Sequence, residues 1–447
     1  MTSPVVGRRL RLAYSLPAMV MALPTVPVYV LLPTFYVEHT ALGFTAVGWL
    51  LGIARLLDLG SDLIVGRWCD QPIAGLGRRK GWILLGALIL GPALWLLFTP
   101  QASSGAGRLL VSAAALYLGW TLVQIPYLAW SAELATGYQQ RIRLNSNREL
   151  FGVVGLLISA ALPAIGGTLG WQDPTTMRVL AACAIATGLC SFTWMLSAVP
   201  EPAAVKRPST DRPLNAASWK ALLHNKLWLR LLLVWTLNGT ANGFAAVLFP
   251  VFVTTGLGLA QAYRGPFLFL YFAAAMAAML LLPTLGQRFS KHRLWSLAML
   301  MAAATFATVP WLPPGAQAGF TLVCLLTGLA LAVDLAIPPA LQADIVDWDR
   351  YRFDRDHPGL CFAGASLVTK LALGIAVVLA PLLITLLGWQ EQGPWDDPVR
   401  FRVAMIYAWV PCVLKVMAVA LMWNFPLDES RHQKIRQRLD RRPEWRT

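Results

Sequence analysis

Two aspartates, Asp58 and Asp62, stand four residues apart inside the otherwise apolar run Val47–Gly66. At that spacing in a helix both side chains lie on one face. A carboxylate in hydrocarbon is costly, so an intramembrane acid points first to function. Two acids sharing one small volume repel each other unless a bound cation, a shared proton or a basic neighbour compensates. Arg55 lies one turn earlier on a similar face, and Ser61 adds a hydroxyl oxygen in another direction. An oxygen-rich set of this kind suits a proton or a hard cation such as Na⁺, by analogy with the oxygen ligands of Ca²⁺ and Mg²⁺. The alternative is an acid–Arg55 network that only locks helices together.

Lys370 sits inside a second apolar run, Ala365–Gly374. A lone ammonium at mid-span needs a carboxylate, and Asp58 or Asp62 is the natural candidate. Asp334 and Lys415 form a second unusual pair, read as a structural ion pair in preference to a lining of the substrate path.

These residues need long apolar elements to hold them. Of the 447 residues, 57% are hydrophobic and 13% charged, against about 25% charged in a soluble protein. Twelve apolar stretches read as membrane-spanning helices: 12–36, 45–68, 81–99, 107–133, 148–170, 177–199, 227–256, 264–286, 294–313, 317–342, 359–388 and 401–425. A linker rich in Pro, Lys and Arg, 201–226, divides an N-terminal six-span unit (1–200) from a C-terminal one (227–426), and a basic tail follows (427–447). The two units echo each other weakly: Ile125-Pro126 with Ala132-Glu133 matches Ile337-Pro338 with Ala343-Asp344. A repeated six-span unit suggests a transporter with its site between the halves.

The net charge of +15 is gathered in alternate loops, among them Arg78-Arg79-Lys80 and the segment with Arg141 and Arg148. That is the positive-inside pattern with both termini cytoplasmic, and not a nucleic-acid surface. The six cysteines show no metal-ligand spacing. No hydrolase, metalloprotease or phosphate-cradling motif is present, so an enzyme is not expected. Without a nucleotide-binding domain, the drive must be an ion gradient or the substrate's own gradient.

Pro17, Pro24, Pro27 and Pro33 interrupt the first span, and Asn238-Gly239-Thr-Ala-Asn242-Gly243 interrupts the seventh. Broken helices of this kind often line a cavity. Tyr29, Trp120 and Gln124, with Asn238 and Asn242, combine rings with hydrogen-bonding groups and are candidate substrate residues. Most single aromatics in such a chain are packing residues.

The chain resembles the glycoside–pentoside–hexuronide:cation symporters of the major facilitator superfamily, typified by the melibiose permease. The segment Asp62-x-x-x-Gly66-x-x-x-Asp70, then Gly77-Arg78-Arg79-x-x-Trp82, is similar to that family's loop signature. Ala54-Arg55-Leu-Leu-Asp58, Thr121 with Ile125-Pro126-Tyr127, Ala343-Asp344-Ile-Val-Asp347 and Val368-Thr-Lys370 extend the likeness over both halves. The resemblance implies an all-α membrane protein of twelve transmembrane helices in two pseudo-symmetric six-helix bundles, the major facilitator fold. It places Asp58, Asp62 and Thr121 in a Na⁺ or H⁺ site, with Ser61 where the melibiose permease has Asn, and Lys370 nearby. Asp58 and Asp62 are the metal-holding pair if the ion is Na⁺. The positions of two sugar-gripping carboxylates are taken by Ala22 and Gln124.

The expected function is cation-coupled symport of a glycoside-like or related small polar solute by alternating access, with a lysolipid or amphiphile transporter or exporter as the alternative. Asp70, Arg78, Arg79, Arg141 and Arg148 are expected to gate the cytoplasmic side. No cofactor is expected beyond the coupling ion. The expected partners are a small-molecule substrate and the bilayer of the plasma (inner) membrane, without nucleic acid, for a chain working as a monomer.

Overall fold

A computed structural model describes residues 7–69, 73, 76–134, 138–201, 224–353, 358–390 and 396–440. Among them eleven helices are long and apolar enough to cross a membrane. The other long helix is the second span, Phe44–Trp68, whose apolar run is interrupted by Arg55, Asp58 and Asp62. Its 25 residues measure about 37 Å, more than a ~30 Å hydrocarbon core. The spans are therefore Arg8–His39, Phe44–Trp68, Lys80–Phe98, Ala106–Leu134, Tyr138–Thr168, Asp173–Ala198, Lys226–Gly256, Arg264–Arg288, Lys291–Trp311, Gln317–Phe353, Pro358–Leu386 and Asp397–Met422. Large apolar side chains such as Trp49, Leu88 and Leu280 point outward, as a lipid-facing surface requires.

The first span is broken where its prolines predict. It runs as helix Arg8–Ala22, a π turn Pro27–Leu31 and helix Leu32–His39. Pro27 brings no N–H and its ring crowds the preceding turn, so the ladder widens there. In the seventh span the break is displaced from the predicted place. The Asn238–Gly243 segment is regular helix within Lys226–Val251, and the π turn comes later, at Phe252–Gly256. The glycines serve close packing instead: a Cβ at Gly243 would lie 2.6 Å from the Ala376 Cβ of the eleventh span.

At the end of the bundle away from the termini, one continuous apolar core joins both halves, from Val47 and Tyr117 to Phe244, Phe252, Ala376 and Tyr407. Toward the termini the cores separate, one around Tyr14, Tyr127 and Trp130 and one around Trp228, Trp295 and Phe425. The halves are thus sealed at the far end. Second and eleventh spans touch closely there: a Cβ on Gly48 would lie 2.6 Å from the Val377 carbonyl oxygen and one on Gly52 would clash with Val378 Cγ2.

Most of the linker predicted over 201–226 lies outside the described residues. The tail is not a plain extension: Glu429–Asp440 is a helix that docks on the tenth span. His432 Nε2 lies 3.0 Å from Asp347, and Arg438 donates to the Tyr351 hydroxyl at 2.5 Å.

Candidate cation and substrate sites

The second span presents Asp58 and Asp62 toward Thr121 of the fourth span and Lys370 of the eleventh. Lys370 Nζ stands 2.6 Å from Asp62 Oδ2 and 2.9 Å from Asp58 Oδ2. The sequence named Asp58 or Asp62 as its partner, and it bridges both, across the two halves. The Thr121 hydroxyl lies 3.0 Å from Asp58 Oδ1 and 2.9 Å from Asp62 Oδ1. One hydroxyl carries one hydrogen, so it can donate to only one carboxylate at a time. The other contact is favourable only when a proton or cation intervenes.

Arg55 Nη1 donates to Asp58 Oδ2 at 3.3 Å. Its guanidinium also lies 3.9 Å from the ring centroid of Tyr117 and 4.6 Å from that of Tyr29, a cation–π sandwich. Its Nη2 finds no hydrogen-bond partner among the described residues. Arg55 and Asp58 are 6% and 4% exposed, so their charges are desolvated and depend on these partners. The whole cluster balances: Arg55 and Lys370 against Asp58 and Asp62. Ser61 is not brought into it. Its hydroxyl donates to the Asp58 carbonyl of its own helix at 2.8 Å.

A cavity of about 360 Å³ lies between the first and fifth spans and the C-terminal half. Small-molecule sites measure roughly 300–1,000 Å³. Its wall is mostly aromatic and aliphatic, with Tyr29, Phe249, Phe267, Tyr271, Phe306 and Tyr407 prominent. Its charged wall is Asp334 and Lys415, joined by Asn242. Asp334 accepts from Trp295 Nε1 at 2.8 Å, from Asn242 Nδ2 at 2.9 Å and from Lys415 Nζ at 3.5 Å. Lys415 donates more closely to Asn238 Oδ1, at 2.6 Å.

Of the predicted substrate residues, Tyr29 and Asn242 line this cavity and Asn238 stands behind Lys415. Gln124 and Trp120 are not among its lining residues. Trp120 packs on the core around Tyr14, Tyr127 and Trp130 instead. Asp334 and Lys415 do pair, but on the wall of a cavity, which the sequence reading placed second.

The predicted cytoplasmic gate is only partly in view. Asp70 and the Arg141 side chain lie outside the described residues. Arg79 is buried and donates to the Cys69 carbonyl at 3.1 Å, while its backbone N–H donates to Glu201 Oε1 at 2.6 Å. Arg78 is half-buried, and Arg148 pairs with its neighbour Glu149. Arg79 meets Cys69 and, at the start of the linker, Glu201, while Arg148 meets Glu149 of its own span.

A charge bridge between halves lies at the opposite end, and the sequence reading missed it. Arg264, at the start of the eighth span, donates to Glu38 at 2.7 Å and to Asp173 at 3.2 Å. The available signal was weak, because Arg264 begins a span on the side with few basic residues but Arg108, Arg178 and Arg400 also stand near the starts of spans there.

The sequence profile of the family described as MFS/sugar transport protein matches residues 13–429. The glucuronide carrier protein homolog of Escherichia coli is 22% identical over 92% of this chain and 90% of its own length. Sodium-dependent lysophosphatidylcholine symporter 1 of Mus musculus is 22% identical over 89% of this chain and 84% of its own. Among solved structures, a D-xylose–proton symporter superposes with a TM-score of 0.68 at 16% identity, covering 93% of this chain and 97% of that one.

Proposed function

The chain belongs to the MFS/sugar transport protein family, and we propose that this multi-pass membrane transporter is a cation-coupled symporter whose coupling site is Asp58, Asp62, Thr121 and Lys370. One observation carries the reading: the Lys370 ammonium sits between both carboxylates, where a bound cation would sit. The cluster is already neutral, so a Na⁺ or H⁺ can join it only as Lys370 withdraws. Lys370 belongs to the C-terminal half and both acids to the N-terminal half. Cation binding therefore releases a bond between halves and frees them to rock around the substrate site.

The D-xylose and glucuronide names among similar proteins support a glycoside-like solute. The apolar wall of the 360 Å³ cavity favours a second reading, a solute with an apolar body, and the name of the lysophosphatidylcholine symporter supports it too. The carrier works in the plasma (inner) membrane with both termini cytoplasmic, as the Lys and Arg placement argues.

The test is the thermal stability of the purified carrier in Na⁺ against choline at two pH values. Na⁺- or proton-dependent stabilisation that vanishes in Asp58→Asn supports the reading. Equal stability in all four conditions, with uptake into proteoliposomes that ignores ion gradients, sinks it.

A further inference from the structure

We propose that Asp334 and Lys415 form a recognition site for a zwitterionic head, one ammonium and one anionic group, carried on a ring-bearing apolar body that fills the aromatic part of the cavity. The inference rests on the transporter reading and deepens it by naming the substrate's chemical class.

A structural ion pair does not account for this geometry. Burying a pair gives little stability over apolar packing, so stability alone is a poor reason to keep one in a cavity wall. A charge-assisted N–H···O bond runs about 2.7–2.9 Å, whereas Lys415 Nζ stands 3.5 Å from Asp334 Oδ2. The short bond of Lys415, 2.6 Å, goes to the neutral Asn238. The ammonium is thus held back from its counter-charge. Two of its three N–H groups are committed.

Asp334 is held from the other side. Trp295 fixes Oδ1 at 2.8 Å and Asn242 fixes Oδ2 at 2.9 Å, which leaves the 3.5 Å contact as the weakest of the three. Both side chains are 6% exposed and both line the cavity. The result is a fixed, loosely closed dipole on a wall that is otherwise mostly apolar.

Net charge selects the ligand. The pair sums to zero, so a lone anion or a lone cation entering here would leave one uncompensated charge in a desolvated site. A zwitterion brings both signs: its anionic group takes the open N–H of Lys415, and its ammonium takes the place of Lys415 at Asp334 Oδ2. The rest of the wall, with Phe249, Phe267, Tyr271, Phe306 and Tyr407, offers ring faces and edges to a cyclic body. A neutral sugar could lay its C–H face on these rings but brings no charge to Asp334 or Lys415.

The experiment uses four probes on the purified full-length carrier in detergent, without any ion gradient: L-tryptophan, indole-3-propionate, tryptamine and hexylphosphocholine. The first three share one ring body and differ in head charge. Binding is read by tryptophan-probe calorimetry and by competition. The inference expects L-tryptophan to bind at least about tenfold more tightly than either singly charged analogue, the value of one charge-assisted hydrogen bond. Lys415→Met should erase the advantage over tryptamine, and Asp334→Asn the advantage over indole-3-propionate. Each variant's apo melting temperature and helical circular dichroism report whether it folds. Should either single variant fail to fold, the neutral double variant Asp334→Asn/Lys415→Met takes its place, and there all three indoles should bind alike.

Competition by hexylphosphocholine would point to a lipid-type zwitterion, and its absence to a free one. Equal affinity of the three indoles for the wild-type carrier overturns the inference, as does a preference for the zwitterion that survives the double variant. Asp58→Asn separates the two readings: it should abolish the cation response and leave the indole ranking intact.

Discussion

The ring of Tyr29 faces two sites at once: it lines the central cavity and lies 4.6 Å from the guanidinium carbon of Arg55. Arg55 in turn pairs with Asp58 at 3.3 Å. The cavity and the cation cluster share no lining residue, so this short chain is the physical path from one to the other. A smaller gap of about 20 Å³ beside Arg55 shares Tyr29, Gly243, Ala246 and Leu373 with the main cavity. It is large enough for one water.

Tyr29→Leu should therefore uncouple the carrier without emptying either site. Coupling between two ligands is typically 5–150-fold and reciprocal. The variant should bind ligand and cation with near wild-type affinity while the mutual enhancement falls toward unity. Calorimetric titration of ligand at zero and saturating cation reads this directly. Unchanged enhancement would place the coupling path elsewhere.

Lys370→Met removes one charge from a balanced cluster and leaves a net −1 around Asp58 and Asp62. A cation should then bind more tightly, by about tenfold, or ~1.4 kcal/mol, because no ammonium competes for the oxygens. Gradient-driven uptake should fall, since the bond between halves no longer reports whether the ion is present. Without cation the variant should melt earlier than the wild type, and added cation should restore the loss. Weaker cation binding in Lys370→Met would show that Lys370 assists the ion instead of standing in for it.

The contrast between these two sites shows what a sequence carries. Asp58, Asp62, Arg55 and Lys370 were legible because ionisable groups in apolar runs are expensive and must find one another. Thr121 was legible only through the family resemblance, since a lone Thr in a membrane helix is ordinary. The cavity was legible only in part, through Tyr29 and Asn242. Gln124 and Trp120 carry the right chemistry but do not line it, while Phe249 and Tyr407 look like packing residues until both halves are assembled. The seventh-span glycines show the same limit. Their sequence suggested a break, and the eleventh span's small residues made them a contact instead.

Arg264 holds the far end of the bundle shut through Glu38 and Asp173, one carboxylate from the first span and one from the sixth. Arg264→Gln leaves both acids without their cation and should shift the carrier toward opening on that face. The partners are 19% and 30% exposed at their side chains, so water screens the bridge and the shift should be modest, about 1 kcal/mol or roughly fivefold in population. A cysteine placed at Thr254, in the vestibule beneath this face, would report it as faster labelling by a polar maleimide. Labelling at the wild-type rate would mean that the apolar core alone keeps the face closed.

Thr121 separates the two candidate ions. Its hydroxyl oxygen lies within 3.0 Å of both acids, well placed to complete an oxygen shell around a metal cation and far less needed for a proton held by a carboxylate. Thr121→Val keeps the shape and removes the oxygen. A Na⁺ site should lose about tenfold in affinity, one ligand's worth of ~1–2 kcal/mol, while protonation-driven stabilisation should stay within about twofold. The thermal-shift titration run with Na⁺ at high pH and with protons in choline measures both in one preparation. Thr121→Val acting on the Na⁺ response alone would make Na⁺ the coupling ion. Loss of both responses together would assign Thr121 to holding the second and fourth spans in register instead of to the ion.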